Sequence, residues 1–250
     1  MIEKDEKWPA DNNMKSTDEL NSSENSSSFY YTPPKEKKPL PAIIISIILH
    51  PIFMGVYGII LLFLYTDFNI IFARQFFRFI SPVLFLTCII PASSIYFLKK
   101  AGLIKDYSLT EKNDRLIPYF LSFLSYALLV YYFNSAGLYM WFISTLVAPM
   151  ILIAVTAIIN IFWKISAHMI GIGGLIGCTL SVCYNVKGIN PFILFIILFI
   201  LAGCLGVARL VLKKHTPAQV YIGFLVGITI SYFCVKIGAY WGFISFMKNI

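Results

Sequence analysis

The sequence predicts an all-α fold, a polytopic transmembrane helical bundle of about seven spans, and three observations carry that expectation. First, 58% of the 250 residues are hydrophobic and only 13% are charged, with a mean hydropathy of +0.78. A water-soluble domain cannot hide that much apolar surface, which excludes an ordinary soluble enzyme. Second, the apolar residues gather in seven runs that contain no Asp, Glu, Lys or Arg. Third, each run approaches the roughly 20 helical residues that a bilayer core requires.

The elements follow in order. Residues 1–41 form a polar tail with a Ser/Asn-rich stretch and Pro33-Pro34-Lys35-Glu36-Lys37-Lys38. It has no regular apolar period and is expected to be disordered and solvated. It lacks an apolar core with a cleavage site, so it is not expected to be a signal peptide. The apolar runs lie near 42–65, 79–98, 117–133, 138–162, 167–184, 191–208 and 218–235, the last three being short. In lipid the backbone must satisfy its own hydrogen bonds, and runs of this length do so as helices. Pro82, Pro91 and Pro149 are expected to mark kinks. Residues 42–98 are read as N-terminal transmembrane helices, 99–235 as the membrane domain that carries the chemistry, and 236–250 as a C-terminal tail.

Alternating spans place the tail and the loops near 99–116, 163–166 and 209–217 on one face. That face holds nine loop cations: Lys99, Lys100, Lys105, Lys112, Arg115, Lys164, Arg209, Lys213 and Lys214. The opposite face holds five: Arg74, Arg78, Lys187, Lys236 and Lys248. The positive-inside rule makes the first face cytoplasmic. Cations that bind phosphate are not free topology signals, so the face of the site stays open.

Eight of the twelve carboxylates lie in the first 36 residues, and none follows Asp114. Carboxylate-bound Mg²⁺ or Ca²⁺ sites and paired-carboxylate glycoside chemistry are therefore not expected. The net charge of +8 points to anionic partners such as lipid headgroups or phosphates, rather than to nucleic acid, because the excess is spread over short loops. The five cysteines (88, 178, 183, 204 and 234) lie in apolar runs without metal-ligand spacing and read as buried apolar residues. Gly173 with Gly177, and Gly223 with Gly227, are four apart and read as close helix packing rather than a dinucleotide loop.

The chain has three histidines. His50 precedes Pro51 in the first run and reads as an interfacial histidine. His168 and His215 each lie where the chain has just returned to the cationic face. Lys164 precedes one, and Arg209, Lys213 and Lys214 precede the other, while Arg115 and Lys112 enter from a third loop. Two imidazoles among cations suit phosphoryl transfer. One attacks phosphorus, the second protonates the leaving oxygen, and the cations stabilise the equatorial oxygens without a metal.

The stretch Arg209-Leu-Val-Leu-Lys-Lys-His215-Thr-Pro-Ala-Gln219 resembles the third motif of the type 2 phosphatidic acid phosphatases: Ser-Arg, five residues, His, three residues, Asp. Ala208 stands in place of the Ser and Gln219 in place of the Asp. Ser166-Ala167-His168 resembles the second motif, Pro-Ser-Gly-His. The first motif, Lys, six residues, Arg-Pro, has only Arg115, with Pro118 three residues on and Lys112 in a shifted position. The resemblance covers roughly residues 99–227, and the segments around His168 and His215 look like a bacteroidete-type subgroup of that superfamily.

The resemblance implies a metal-independent lipid-phosphate phosphatase of a bacterial inner membrane, with no cofactor and a lipid phosphate as substrate. It implies His215 as nucleophile, His168 as general acid, Gln219 as orienter of His215, and Arg209, Arg115, Lys112 and Ser166 as phosphate-binding residues. An amide at 219 still accepts an imidazole N–H but lacks the charge of Asp. Two alternatives stay open: a protein of this fold that binds lipid phosphate without cleaving it, and a lipid transporter. Oligomeric state and the particular lipid are not legible.

Overall fold

The computed structural model describes residues 39–104 and 113–248. The expected disorder of the tail and the site role of Lys112 fall outside the described residues. Seven helices are long and apolar enough to cross a membrane. We label them α1 (Leu40–Tyr65), α2 (Phe76–Lys100), α3 (Leu116–Ser135), α4 (Met140–Phe162), α5 (Ala167–Lys187), α6 (Phe192–Val211) and α7 (Pro217–Lys248). The described residues contain no strand, so the all-α polytopic bundle expected from composition is the fold.

Helix α5 is the centre of the bundle. Over half of its apolar window is buried, against 28–39% for the other spans. It packs along α7, while α7 also lies on α4, α4 on α3, and α1 on α5 and α6. Small residues bring α5 and α7 together. A Cβ built on Gly177 or Gly227 would collide with the backbone carbonyl of Ile228 or Ile170 across the interface. Only a glycine lets the two backbones approach this closely. The outer faces carry large apolar side chains such as Ile70, Phe77, Phe162 and Ile193, as a lipid-facing surface should. At the face opposite the cationic loops, Phe63, Phe68, Phe79, Phe133 and Phe142 form an aromatic core. Beside it Lys187 pairs with Asp67 at 2.5 Å and lies over the Trp141 ring.

The prolines act differently from one another. Pro82 and Pro91 flank a π-helical stretch, Leu84–Ile89, within α2. Pro149 leaves α4 α-helical throughout, and the Thr145 carbonyl it deprives of an amide lies 3.9 Å from the Cys178 thiol. The largest interruption is at Pro51, which was not expected to break its run: α1 is helical over Leu40–Ile48, makes one 3₁₀ turn at Pro51–Phe53, and resumes at Met54.

Two further expectations need revision. Residues 236–248 continue α7 rather than forming a tail, because they remain apolar and Lys236 lays its ammonium over the Tyr232 ring. Cys204 faces outward and Cys178 and Cys234 are only partly buried, leaving Cys88 and Cys183 in the interior.

Candidate phosphate site

The loops at one end of the bundle bring the separated motifs together. Arg115 ends a 3₁₀ turn that leads into α3. Lys164 lies in the short link between α4 and α5, and His168 sits in the first turn of α5. Arg209 occupies the last turn of α6, and Lys214 and His215 lie in the tight link to α7. In that link Lys213 takes a positive φ of 51°. All six line one cavity of about 620 Å³, within the roughly 300–1,000 Å³ range of small-molecule sites.

The cavity continues away from the cations. It is lined along α1 from Ile43 to Thr66 and along α5 from Ala167 to Cys183. Its deeper walls are mainly apolar, with Gly55, Gly58, Gly171 and Gly174 withholding side chains from the space. Among the described residues that line it, none is Asp or Glu.

His215 is held by a side-chain amide. Its Nδ1 lies 3.1 Å from Gln219 Oε1, one helical turn on. The same oxygen accepts the Thr216 amide at 3.2 Å, so it is the amide's acceptor end. An oxygen without a proton can only accept, which places the His215 proton on Nδ1 and leaves a lone pair on Nε2. Burial, aided by Arg209, Lys164 and Arg115 and opposed by the Gln219 bond, pushes the His215 pKa down to about 4. At neutral pH His215 is therefore an uncharged imidazole. Lys164 is lowered as well, first by burial and then by Arg115, Lys214 and Arg209. Four cations thus crowd a half-buried space with no carboxylate on its described walls, a field that favours an anion.

Arg115 is buried, and its Nη1 donates to Asn160 Oδ1 at 3.4 Å, which fixes the guanidinium from the floor of α4. Arg209 keeps a buried Nε with no hydrogen-bond partner. Such a donor is costly unless a ligand meets it. Ser166 occupies the N-cap position of α5 without a side-chain cap bond, is fully buried, and its hydroxyl also lacks a partner, yet it is not among the residues that line the cavity. Gln219 does not line it either and supports His215 from behind.

His168 Nε2 lies 3.2 Å from the backbone oxygen of Ser46 in α1, so Nε2 carries the proton and Nδ1 is left unoccupied. The ring of His50 meets that of His168 edge to face, with centroids 4.9 Å apart. Ser46 and His50 were missed in the sequence because their span lies outside the resembling region. The Pro51 that follows His50 was the available signal. Lys164 and Lys214 were legible as neighbouring cations but not as cavity residues. Comparison of the chain with protein-family models, curated proteins and solved structures finds no match.

Proposed function

We propose that this protein is an integral membrane phosphatase that hydrolyses a lipid phosphate through a phosphohistidine on His215. The observation that carries the reading is the convergence of Arg115, Lys164, Arg209 and Lys214 on a neutral His215 at the mouth of a largely apolar cavity. The cations hold the phosphate oxygens, and the Arg forks match their geometry.

His215 Nε2 attacks phosphorus, a P–N bond forms, and the bond to the lipid oxygen breaks. The phosphate enters with one proton, and the free Nδ1 of His168 takes that proton and passes it to the leaving oxygen. Water then attacks the phosphohistidine, His168 takes a proton from it, and the P–N bond breaks to free inorganic phosphate and His215. Gln219 Oε1 holds the Nδ1 proton of His215 throughout. The apolar depth of the cavity along α1 and α5 supports a lipid rather than a soluble ester. Phosphatidate-like, phosphatidylglycerol-phosphate-like, polyprenyl-phosphate and phosphorylated lipid A substrates all satisfy this chemistry. We place the protein in a bacterial inner membrane.

One observation favours a second reading. Gln219 is a neutral orienter and cannot stabilise a developing imidazolium as a carboxylate does. A protein that binds lipid phosphate without turnover has the same cations and the same cavity. The test is phosphate release from a panel of lipid phosphates by purified protein in detergent with EDTA, beside His215→Ala. Release that survives EDTA and vanishes in the variant supports the phosphatase. No release by protein that still binds vanadate rejects the phosphatase in favour of the binding protein.

A further inference from the structure

The broken first span rearranges its own hydrogen bonds. In a continuous helix the His50 amide would bond the Ser46 carbonyl, and residue 51 would bond Ile47. Pro51 has no N–H to give. The His50 amide turns instead to the Ile47 carbonyl, at 3.3 Å. The Ile52 amide, which would have bonded Ile48, goes to His50 Nδ1 at 3.3 Å. The Ile48 carbonyl is met by the Tyr57 hydroxyl at 2.8 Å. Of the carbonyls left without a helical amide, that of Ser46 receives His168 Nε2 at 3.2 Å across 122 positions of sequence. Backbone groups in an apolar interior must find partners, so a carbonyl freed by the break draws a side-chain donor from the neighbouring helix.

The break is also docked onto the helix that carries His168. A Cβ on Gly171 would lie 3.1 Å from Pro51 Cβ, so the proline rests against α5 one turn beyond His168. The His50 ring stands edge to face with the His168 ring at 4.9 Å. His50 is thus tied twice, by the Ile52 amide and by the ring contact.

We propose that the break in α1 is a positioning device for the leaving-group histidine: His50 and Pro51 present the Ser46 carbonyl to His168 Nε2 and so keep Nδ1 for the substrate. This rests on the phosphoryl-transfer reading above. His50 is a positioning residue and touches no reacting atom. It holds the turn, the turn exposes the carbonyl, and the carbonyl selects the tautomer. In metal sites the partner on a histidine's far nitrogen sets the ring's orientation, and its loss costs about 10–100-fold; a histidine that must present one nitrogen to a phosphate is under the same constraint.

The experiment uses the full chain in detergent with ¹⁵N-labelled histidine and three variants. Pro51→Ala restores an amide, so the Ile47 and Ser46 carbonyls can regain partners within the helix. His50→Phe removes the acceptor for Ile52, whereas His50→Asn keeps an acceptor oxygen near it. Three quantities are read: the ¹⁵N shifts of His168, vanadate binding, and kcat and KM for a lipid phosphate. Pro51→Ala and His50→Phe are expected to mix the His168 tautomers and to lower kcat about 10–100-fold, with KM and vanadate binding unchanged. His50→Asn is expected to restore the single tautomer and most of kcat. A His168 that stays one Nε2–H tautomer with unchanged kcat in His50→Phe overturns the proposal, even if Pro51→Ala fails to fold. A loss of vanadate binding that parallels kcat in both His50 variants overturns it too, because it marks a general structural role. Wild-type protein that neither binds vanadate nor releases phosphate rejects the phosphatase reading instead, while the ¹⁵N shifts still test the Ser46 bond.

Discussion

Replacing Gln219 by Asp should convert the orienter of His215 from an amide into a charge. Gln219 Oε1 lies 3.1 Å from His215 Nδ1. The Asp side chain is one methylene shorter, so its carboxylate would sit at roughly 4 Å, where two unit charges interact by about 4 kcal/mol at an effective dielectric of 20. That corresponds to about 3 pKa units. Position 219 is only half-buried, so solvent reduces the gain, and a rise of about 1–3 units is expected. His215 would move from about 4 towards the ordinary histidine range. In the proposed reaction the neutral imidazole is the nucleophile, so kcat/KM should fall on the acid side of that pKa. The wild-type acid limb is expected near pH 4, and that of Gln219→Asp nearer neutrality. At pH 8 both proteins have a neutral His215, and there the carboxylate should raise kcat by supporting the imidazolium that forms. A gain of at least about tenfold is expected, below the roughly 10⁴ that separates Asp from Asn in a serine-protease triad. The assay is phosphate release across pH 3–9, with a ¹⁵N titration of His215 that needs no turnover. An unmoved His215 titration in the variant would refute the hydrogen-bond geometry. A moved titration with no gain in kcat would refute the assignment of His215 as nucleophile.

Other outcomes follow from the same structure. Gly227→Ala places a methyl against the Ile170 carbonyl and the Gly174 amide, and should cost about 1–3 kcal/mol of stability in detergent unfolding. Gly203→Ala on α6 meets nothing within 4 Å and should be neutral or stabilising by up to about 1 kcal/mol, so equal losses in both would sink the packing argument. Arg209→Ala removes a buried fork and should weaken vanadate binding about 10–150-fold, from the roughly 1.5–3 kcal/mol of a hydrogen bond to a charged group. It should also let the His215 pKa rise. Stability should depend on His215 in an acid window. The folded pKa of about 4 lies below the unfolded 6.5, so the unfolded chain binds the extra proton between them. The contribution is complete above about pH 6.5 and is lost as pH falls towards 4. Thermal unfolding of wild type should therefore steepen in that window, and His215→Asn should flatten it.

The spans were legible because lipid leaves a chain few choices. Runs free of Asp, Glu, Lys and Arg must be helices of bilayer length, and the seven observed helices begin and end within a few residues of those runs over most of the chain. The exception is the end of α7, where Lys236 interrupts the run by composition but not by structure, since its stem stays along the helix and its ammonium reaches Tyr232. The meeting of α5 with α7 was also readable, since paired glycines four residues apart have a local steric meaning. Pro149 lies inside an unbroken α-helix, where it removes one amide and crowds the Thr145 carbonyl, and the Cys178 thiol stands near the carbonyl left behind.

The sequence by itself determined the solvent, the number of spans, the face on which Arg115, His168, Arg209 and His215 emerge, and the one-turn reach from Gln219 to His215. These are properties of apolar length, charge placement and helical period, all local along the chain. Only the tertiary structure decided that Lys164 and Lys214 share the cavity with them, that Ser166 stands behind its wall, and that the first span joins the site. The bond from His168 to the Ser46 carbonyl belongs to that second class. A backbone carbonyl carries no residue identity, and which one is left without an amide depends on a break in one helix and on the helix packed against it.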